Sequence, residues 1–376
     1  MKRFLLQLWR NFLAQDWLAI MTAVVLMAAG LTFIYSASWR GEETGITGSW
    51  FDKQILWCAA GGLLALVLAL VDYRVWTRLA WWAWLVALGL LVLVLFIGTR
   101  VYGAYRWINL FGVLVQPSEF AKVALVILLA RVLGGGALAS RSFSFVAVGI
   151  VLTVPVFVLI LLEPDLGTAM VLPPVVAGML IAGGAAWRHL LGLAGIGALL
   201  SPLGWFVLGD YQRERILTFM DPSRDPLDSG WNALQSAIAV GSGGLSGKGF
   251  LSGTQNVLGF LPRTVSPSDF IFPVIAEETG FIGAGLLLLA YAVLLTCYLR
   301  VAMTAKAPEG SLLATGIAGL LFCHVFVNIG MTIGLLPITG LPLPLISSGG
   351  SFLLSTLAGF GLVQSVYVRR HRREER

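Results

Sequence analysis

Ten apolar runs dominate this chain, and each is long enough to cross a bilayer as a helix. They lie near 17–38, 54–71, 79–98, 117–133, 143–162, 168–186, 190–209, 270–299, 311–336 and 345–368. A helix needs about 20 apolar residues to span the hydrocarbon. The runs exclude a soluble globular domain and predict an all-α, polytopic membrane protein with ten transmembrane helices. Composition agrees: 58% of the 376 residues are hydrophobic and 12% charged, roughly half the charge of a soluble domain. Pro173 and Pro174 predict a bend or break in the sixth span. Cys58, Cys297 and Cys323 have no metal-ligand spacing and argue against a disulfide-stapled fold.

Charge gives an orientation. Lys2, Arg3, Arg10, Arg74, Arg78, Arg131, Arg141, Arg188, Arg300, Lys306 and the terminal "RRHRREER" fall in short segments on one side. Basic residues in short loops stay cytoplasmic. Both termini are therefore expected inside, with the net charge of +6 largely a membrane-surface feature rather than a nucleic-acid site. Leu5, Leu8, Trp9 and Phe12 share one helical face, so the N-terminal stretch reads as an interfacial helix. No internal repeat or appended soluble domain is evident, and the whole chain, 1–376, reads as one integral membrane domain. Its one large extramembrane segment is an extracytoplasmic loop of about 210–268 between spans seven and eight. Loops of that length are commonly functional or disordered, and the apolar pieces here argue against disorder.

Five polar clusters fall on the outer side. "YRWINLFGVLVQPSEFAK" holds Arg106, Trp107, Gln116, Glu119 and Lys122; the last two are three apart and can pair on one helix face. "LEPDLGTA" puts Glu163 and Asp165 around a proline, as a capped turn would. "DYQRER" brings Arg213 and Arg215, readable as a solvated charge run. "GSGGLSGKG", with Lys248, lacks the spacing of a nucleotide loop and reads as a flexible turn. "SPSDFIFPVIAEETGF" carries Asp269, Glu277 and Glu278. Ser268 or Asp269 would serve as a helix cap, but Glu277 and Glu278 would lie two turns deeper, where an acid needs a partner or a polar cavity. The imbalance favours a cavity. His324, on an apolar run, reads as a hydrogen-bonded interior residue. An extracytoplasmic site with apolar walls and a basic rim suits an anionic amphiphile, and a lone carboxylate suits proton removal or a cation at a pyrophosphate.

Together "RWINLFGVLVQPSEFAK", "EPDLGTA", "GSGGLSGKGFLSGTQ", "SDFIFPVIAEETGFIG" and "NIGMTIGLLPITGLPLPLISSGGS" resemble the SEDS family (shape, elongation, division, sporulation) across nearly the whole chain. The resemblance is nearer its elongation-type, RodA-like members than its division-type ones. It implies a ten-helix peptidoglycan glycosyltransferase that polymerises lipid II on the outer face of the cytoplasmic membrane. It implies a class B penicillin-binding protein as partner, and Asp269 as the catalytic residue. The proposed reaction is an inverting transfer to a lipid II hydroxyl with Asp269 as general base. Arg106, Trp107, Glu119, Lys122, Arg213, Arg215 and Lys248 are the candidate substrate-binding residues, and a divalent cation, Mg2+ or Mn2+, is a candidate cofactor. Gly283, Gly285, Gly316 and Gly319 offer a face for a partner helix. Two departures stand out: "PRTVSPSD" replaces a shorter approach to the aspartate containing Glu and His, and Ser348 replaces a Tyr. A lipid II flippase is the alternative, though such transporters commonly carry repeats that this sequence lacks.

Overall fold

The computed structural model describes residues 9–39, 50–101, 104–110, 112–207, 209–225, 229–261 and 265–371. Seven long helices are apolar enough to cross a membrane: α1 (Trp17–Ser38), α2 (Trp50–Leu70), α4 (Ala80–Ile97), α6 (Phe143–Leu162), α12 (Ile271–Thr304), α13 (Pro308–Thr332) and α14 (Gly350–Arg369). The other three predicted spans are also helices: α5 (Pro117–Gly134), α7 (Leu166–Ala182) and α8 (Trp187–Val207). The protein is a multi-pass helical membrane protein. The short α3 (Tyr73–Arg78) bridges α2 and α4.

Helix α5 is central: it packs against α4, α6 and α13 and buries Glu119 and Lys122 with its apolar residues. Lipid-facing leucines such as Leu63 and Leu286 are exposed. Helix α7 carries Pro173 and Pro174 without a break in its helical run, so of the expected bend or break the break is absent. The N-terminal stretch is helical from Trp9, whose ring stacks 5.9 Å from Phe12; Leu5 and Leu8 lie outside the described residues.

The expectation of a purely α-helical chain needs one correction. Three strands, β1 (Thr99–Val101), β2 (Ala104–Leu110) and β3 (Val113–Val115), form an antiparallel sheet between α4 and α5. The chain leaves α4 and must return to α5, and the strand pairings satisfy backbone amides in between.

The long loop folds into α9 (Asp210–Met220), α10 (Ser229–Ser242) and α11 (Thr254–Val257). Its glycine-rich piece is a rigid fitting rather than a flexible turn. Helix α12 breaks at Gly280 (φ 66°, ψ −165°), freeing backbone groups that residues 244–249 take up. Lys248 N donates to Glu277 O at 3.0 Å and Gly249 N to Glu278 O at 3.0 Å, while Phe281 N donates to Gly244 O at 2.8 Å. Gly247 has φ +78°, and a Cβ there would lie 2.1 Å from Glu278 O.

Glu277 and Glu278 therefore face this loop rather than an open cavity. Glu277 Oε1 accepts from Lys248 Nζ at 2.6 Å, Thr254 Oγ1 at 3.0 Å and Gln255 N at 3.1 Å. Glu278 Oε1 accepts from Ser36 Oγ at 2.5 Å. The expected glycine face is corrected at two of its four positions: Gly316 packs on Val126 and Met179, and Gly319 on Val175, all within this chain, whereas Gly285 on α12 has nothing within 4 Å of an added Cβ. Exposed apolar residues on α12 (Phe281, Ile282, Leu286, Leu289) remain.

Candidate active site

The chain approaches Asp269 through a turn in which Ser268, Asp269 and Phe270 all donate their amides to Val265 O. Helix α12 starts at Ile271 with Phe270 in the N-cap position and no side-chain cap. The Asp269 carboxylate is therefore not serving as a cap. A second loop, 333–349, fixes the same turn. Ser347 Oγ donates to Ser268 O at 2.5 Å and Ser348 N to Pro267 O at 2.9 Å. Asn328, buried on α13, donates through Nδ2 to Asp269 O at 2.9 Å and to Leu341 O at 2.7 Å. Gly340 (φ +73°) passes so close that an added Cβ would lie 3.2 Å from Asp269 Oδ2. In this way the "SSGGS" run and the longer "PRTVSPSD" approach are stitched to each other; residues 262–264 lie outside the described residues.

Three charged groups lie around Asp269. Asp165 caps α7, accepting from Thr168 N at 3.1 Å and Thr168 Oγ1 at 2.9 Å, and from Gln116 Nε2 at 3.1 Å. Arg106, on β2, donates to Glu163 O at 3.1 Å and to Pro164 O, and lies 3.8 Å from Asp165. Arg215, on α9, donates to Ile338 O at 2.9 Å in the 333–349 loop. Burial pushes the half-buried Asp269 carboxyl up to about 7; Ser268, Arg215 and Arg106 oppose that rise and Asp165 adds to it. Beside Arg106, fully buried Glu163 is pushed up to about 9 by burial and by Asp165, so it is neutral at pH 7.

The other predicted residues stand elsewhere. Trp107 follows Arg106 on β2, so its side chain points to the opposite face of the strand. Glu119 and Lys122 pair as the spacing predicts, at 3.0 Å, but deep in the bundle. Lys122 Nζ also lies 2.8 Å from His324 Nε2, beside a cavity of about 40 Å³. Arg213 donates to Trp205 O at 2.9 Å and Phe206 O at 3.1 Å, holding the end of α8. Lys248 is bound to Glu277. Arg106 and Arg215 are thus the two basic candidates gathered at Asp269. Asn328 and Gly340 sit in quoted motifs, but nothing in their residue types marked them as neighbours of the aspartate.

Among the described residues no three His, Cys, Asp or Glu side chains come together, and the Asp165 oxygens already accept from Thr168 and Gln116.

The fold is that of a family of polytopic membrane proteins. The profile for FtsW, RodA and SpoVE, described as cell cycle proteins, matches residues 16–373, and the chain belongs to that family. The peptidoglycan glycosyltransferase MrdB of Escherichia coli (strain K12) is 39% identical over 353 residues, covering 93% of each chain. The peptidoglycan glycosyltransferase RodA of Treponema pallidum is 30% identical, covering 94% of this chain and 98% of its own. A chain from a study of how a peptidoglycan synthase complex coordinates polymerization and crosslinking superposes with TM-score 0.81 at 34% identity, covering 96% of this chain and all of its own. The rod shape determining protein RodA of Thermus thermophilus gives TM-score 0.71 at 32% identity, with the same coverage.

Proposed function

We propose that this chain is a peptidoglycan glycosyltransferase that polymerises lipid II during cell elongation, with Asp269 as its general base. The observation that carries the site is the Asp269 carboxyl, not serving as a cap, fixed by the 333–349 loop, within the electrostatic reach of Arg215 and Arg106 and poised near neutrality. A general base works best when its pKa lies near the operating pH. The function itself is supported by the relatives' names over nearly the full chain.

The donor is the growing glycan on a polyprenyl pyrophosphate, and the acceptor is the 4-hydroxyl of the next lipid II sugar. Asp269 takes the hydroxyl proton as the oxygen attacks the anomeric carbon. The bond to pyrophosphate breaks, and the carbon inverts. Positive charge from Arg106 and Arg215 favours the departing pyrophosphate. Exposed Phe219, Met220, Ile333 and Leu335, on the segments that carry Arg215 and the 333–349 loop, suit a polyprenyl tail. No step is routed through a metal ion.

The proposed topology has ten spans, both termini cytoplasmic, and the 210–268 loop and Asp269 outside. Interhelical ion pairs support it. Asp16–Arg300, Asp72–Arg369 and Arg131–Glu309 each join helix ends at the face that the charge rule places inside. The partner is a class B penicillin-binding protein, its membrane helix lying on the exposed face of α12.

The test is polymer formed from lipid II by purified Asp269→Asn protein in detergent. Asn keeps the size and loses the basicity, so the rate should fall by about 10²-fold or more. A folded variant polymerising at the wild-type rate removes Asp269 from the reaction. Polymer made by the wild-type protein in detergent also decides against the flippase alternative, because transport requires a sealed membrane and makes no polymer.

A further inference from the structure

At the face assigned to the cytoplasm, away from Asp269, the loop joining α5 to α6 meets the loop joining α7 to α8. Contact between the two is close. Gly184 (φ +87°) sits so near Ser140 that an added Cβ would lie 3.4 Å from its Oγ. His189 meets Phe143 edge-on with ring centroids 5.8 Å apart. Between the loops lies a groove of about 600 Å³, lined by Arg141, Arg188, Trp187, Ile181 and the backbone of 184–186.

The groove carries charge of one sign. Neither loop contains an Asp or Glu, and neither Arg141 nor Arg188 is in an ion pair among the described residues, whereas Arg131, Arg300 and Arg369 each have an acid. Helix α8 opens at Trp187, and the first amides of a helix have no acceptor within it. Trp187 and Phe143 are each 64% exposed, as aromatic rings at a membrane–water boundary are. Two guanidiniums outside any ion pair, the opening amides of α8 and a flanking indole form a receptor for a phosphodiester whose tails lie in the bilayer.

We propose that this groove is a binding site for an anionic phospholipid headgroup, with Arg141 and Arg188 gripping the phosphate and Trp187 lying against the glycerol region. The leaflet assignment rests on the orientation proposed above; the binding itself does not. Such a site anchors α6 and α8 to the membrane surface.

Full-length protein in detergent micelles is melted with added phosphatidylglycerol, phosphatidylcholine or inorganic phosphate. Phosphatidylglycerol should raise the wild-type melting temperature by several degrees over phosphatidylcholine. In the Arg141→Gln/Arg188→Gln variant that excess should vanish, with lipid affinity weaker by roughly tenfold or more. An Arg10→Gln/Arg78→Gln variant, losing the same charge elsewhere on that face, should keep it. Equal loss in both variants, or none in the first, overturns the site. Inorganic phosphate reproducing the full shift replaces the lipid with a free anion and also overturns it. Should the double variant melt lower in phosphatidylcholine alone, Arg188→Glu decides: bound phosphatidylglycerol counted by native mass spectrometry should fall, and unchanged occupancy refutes the site. Micelles have no sidedness and the readout needs no polymerisation. A failed orientation, read by thiol labelling, therefore leaves the binding result standing.

Discussion

Asp269 combines two things that sequence shows separately, an acid and an apolar setting, and the consequence is a shifted titration. Burial raises its pKa from 3.8 to about 7 against the pull of Arg215 and Arg106. A base acts when deprotonated, so kcat/KM should rise with pH through about 7 and level off above it. Arg215→Gln removes a group that lowers this pKa, so the rise should move to higher pH; an unmoved profile separates Arg215 from Asp269. The same shift bears on stability. The folded state holds the proton more tightly than the unfolded one, so the cost of the buried charge grows between about pH 4 and pH 7. Asp269→Asn should accordingly gain thermal stability relative to wild type as pH rises through that window, and little below it. Asn328 acts one bond removed, through the Asp269 carbonyl. Asn328→Leu leaves that carbonyl and the Leu341 carbonyl unpaired. It should lower kcat by about tenfold or more with KM little changed, since a misplaced base costs rate rather than binding; a matching rise in KM would point to a substrate contact instead.

At the scale of elements, the break in α12 and the 243–249 loop make one unit. Helix α12 cannot continue through Gly280, and the loop cannot close without glycines at 243 and 247, where a Cβ would lie 2.0 and 2.1 Å from carbonyl oxygens of α12. Gly247→Ala should therefore destabilise the protein by about 2 kcal/mol or more, from overpacking together with a positive φ. Thermal melting checks the loss; an unchanged melt means the loop is not seated on the helix. Long helices were legible because apolar length is a one-dimensional property. The β1–β3 sheet was not: its strands are three to seven residues long, too short for alternation to stand out. The prolines of α7 predicted a break that did not occur, because proline disturbs only the hydrogen bonds next to it and neighbouring helices hold the rest.

For the whole molecule, the ion pairs Asp16–Arg300, Asp72–Arg369 and Arg131–Glu309 bring together residues far apart in sequence at one end of the bundle. The 243–249 loop and the Asp269 site belong to the opposite end of α12. In protein whose own cysteines have been replaced, Ser246→Cys should react with an impermeant thiol reagent added to intact spheroplasts. Labelling only after lysis would reverse the proposed orientation.

Sequence by itself determined the helical membrane class and the Glu119–Lys122 pair, because each depends on local spacing or on apolar length. It marked Asp269 through resemblance to a family and left a helix cap as an equal physical reading. Tertiary structure placed Phe270 rather than Asp269 at the cap of α12 and brought the charges of Arg215 and Arg106, from remote segments, to bear on the carboxylate. It also separated Lys248 and Arg213 from that group, since each finds its partner locally. Charge near a site in sequence says only that a side chain is available; where its hydrogen bonds go is set by which segments the bundle brings within three ångströms of it.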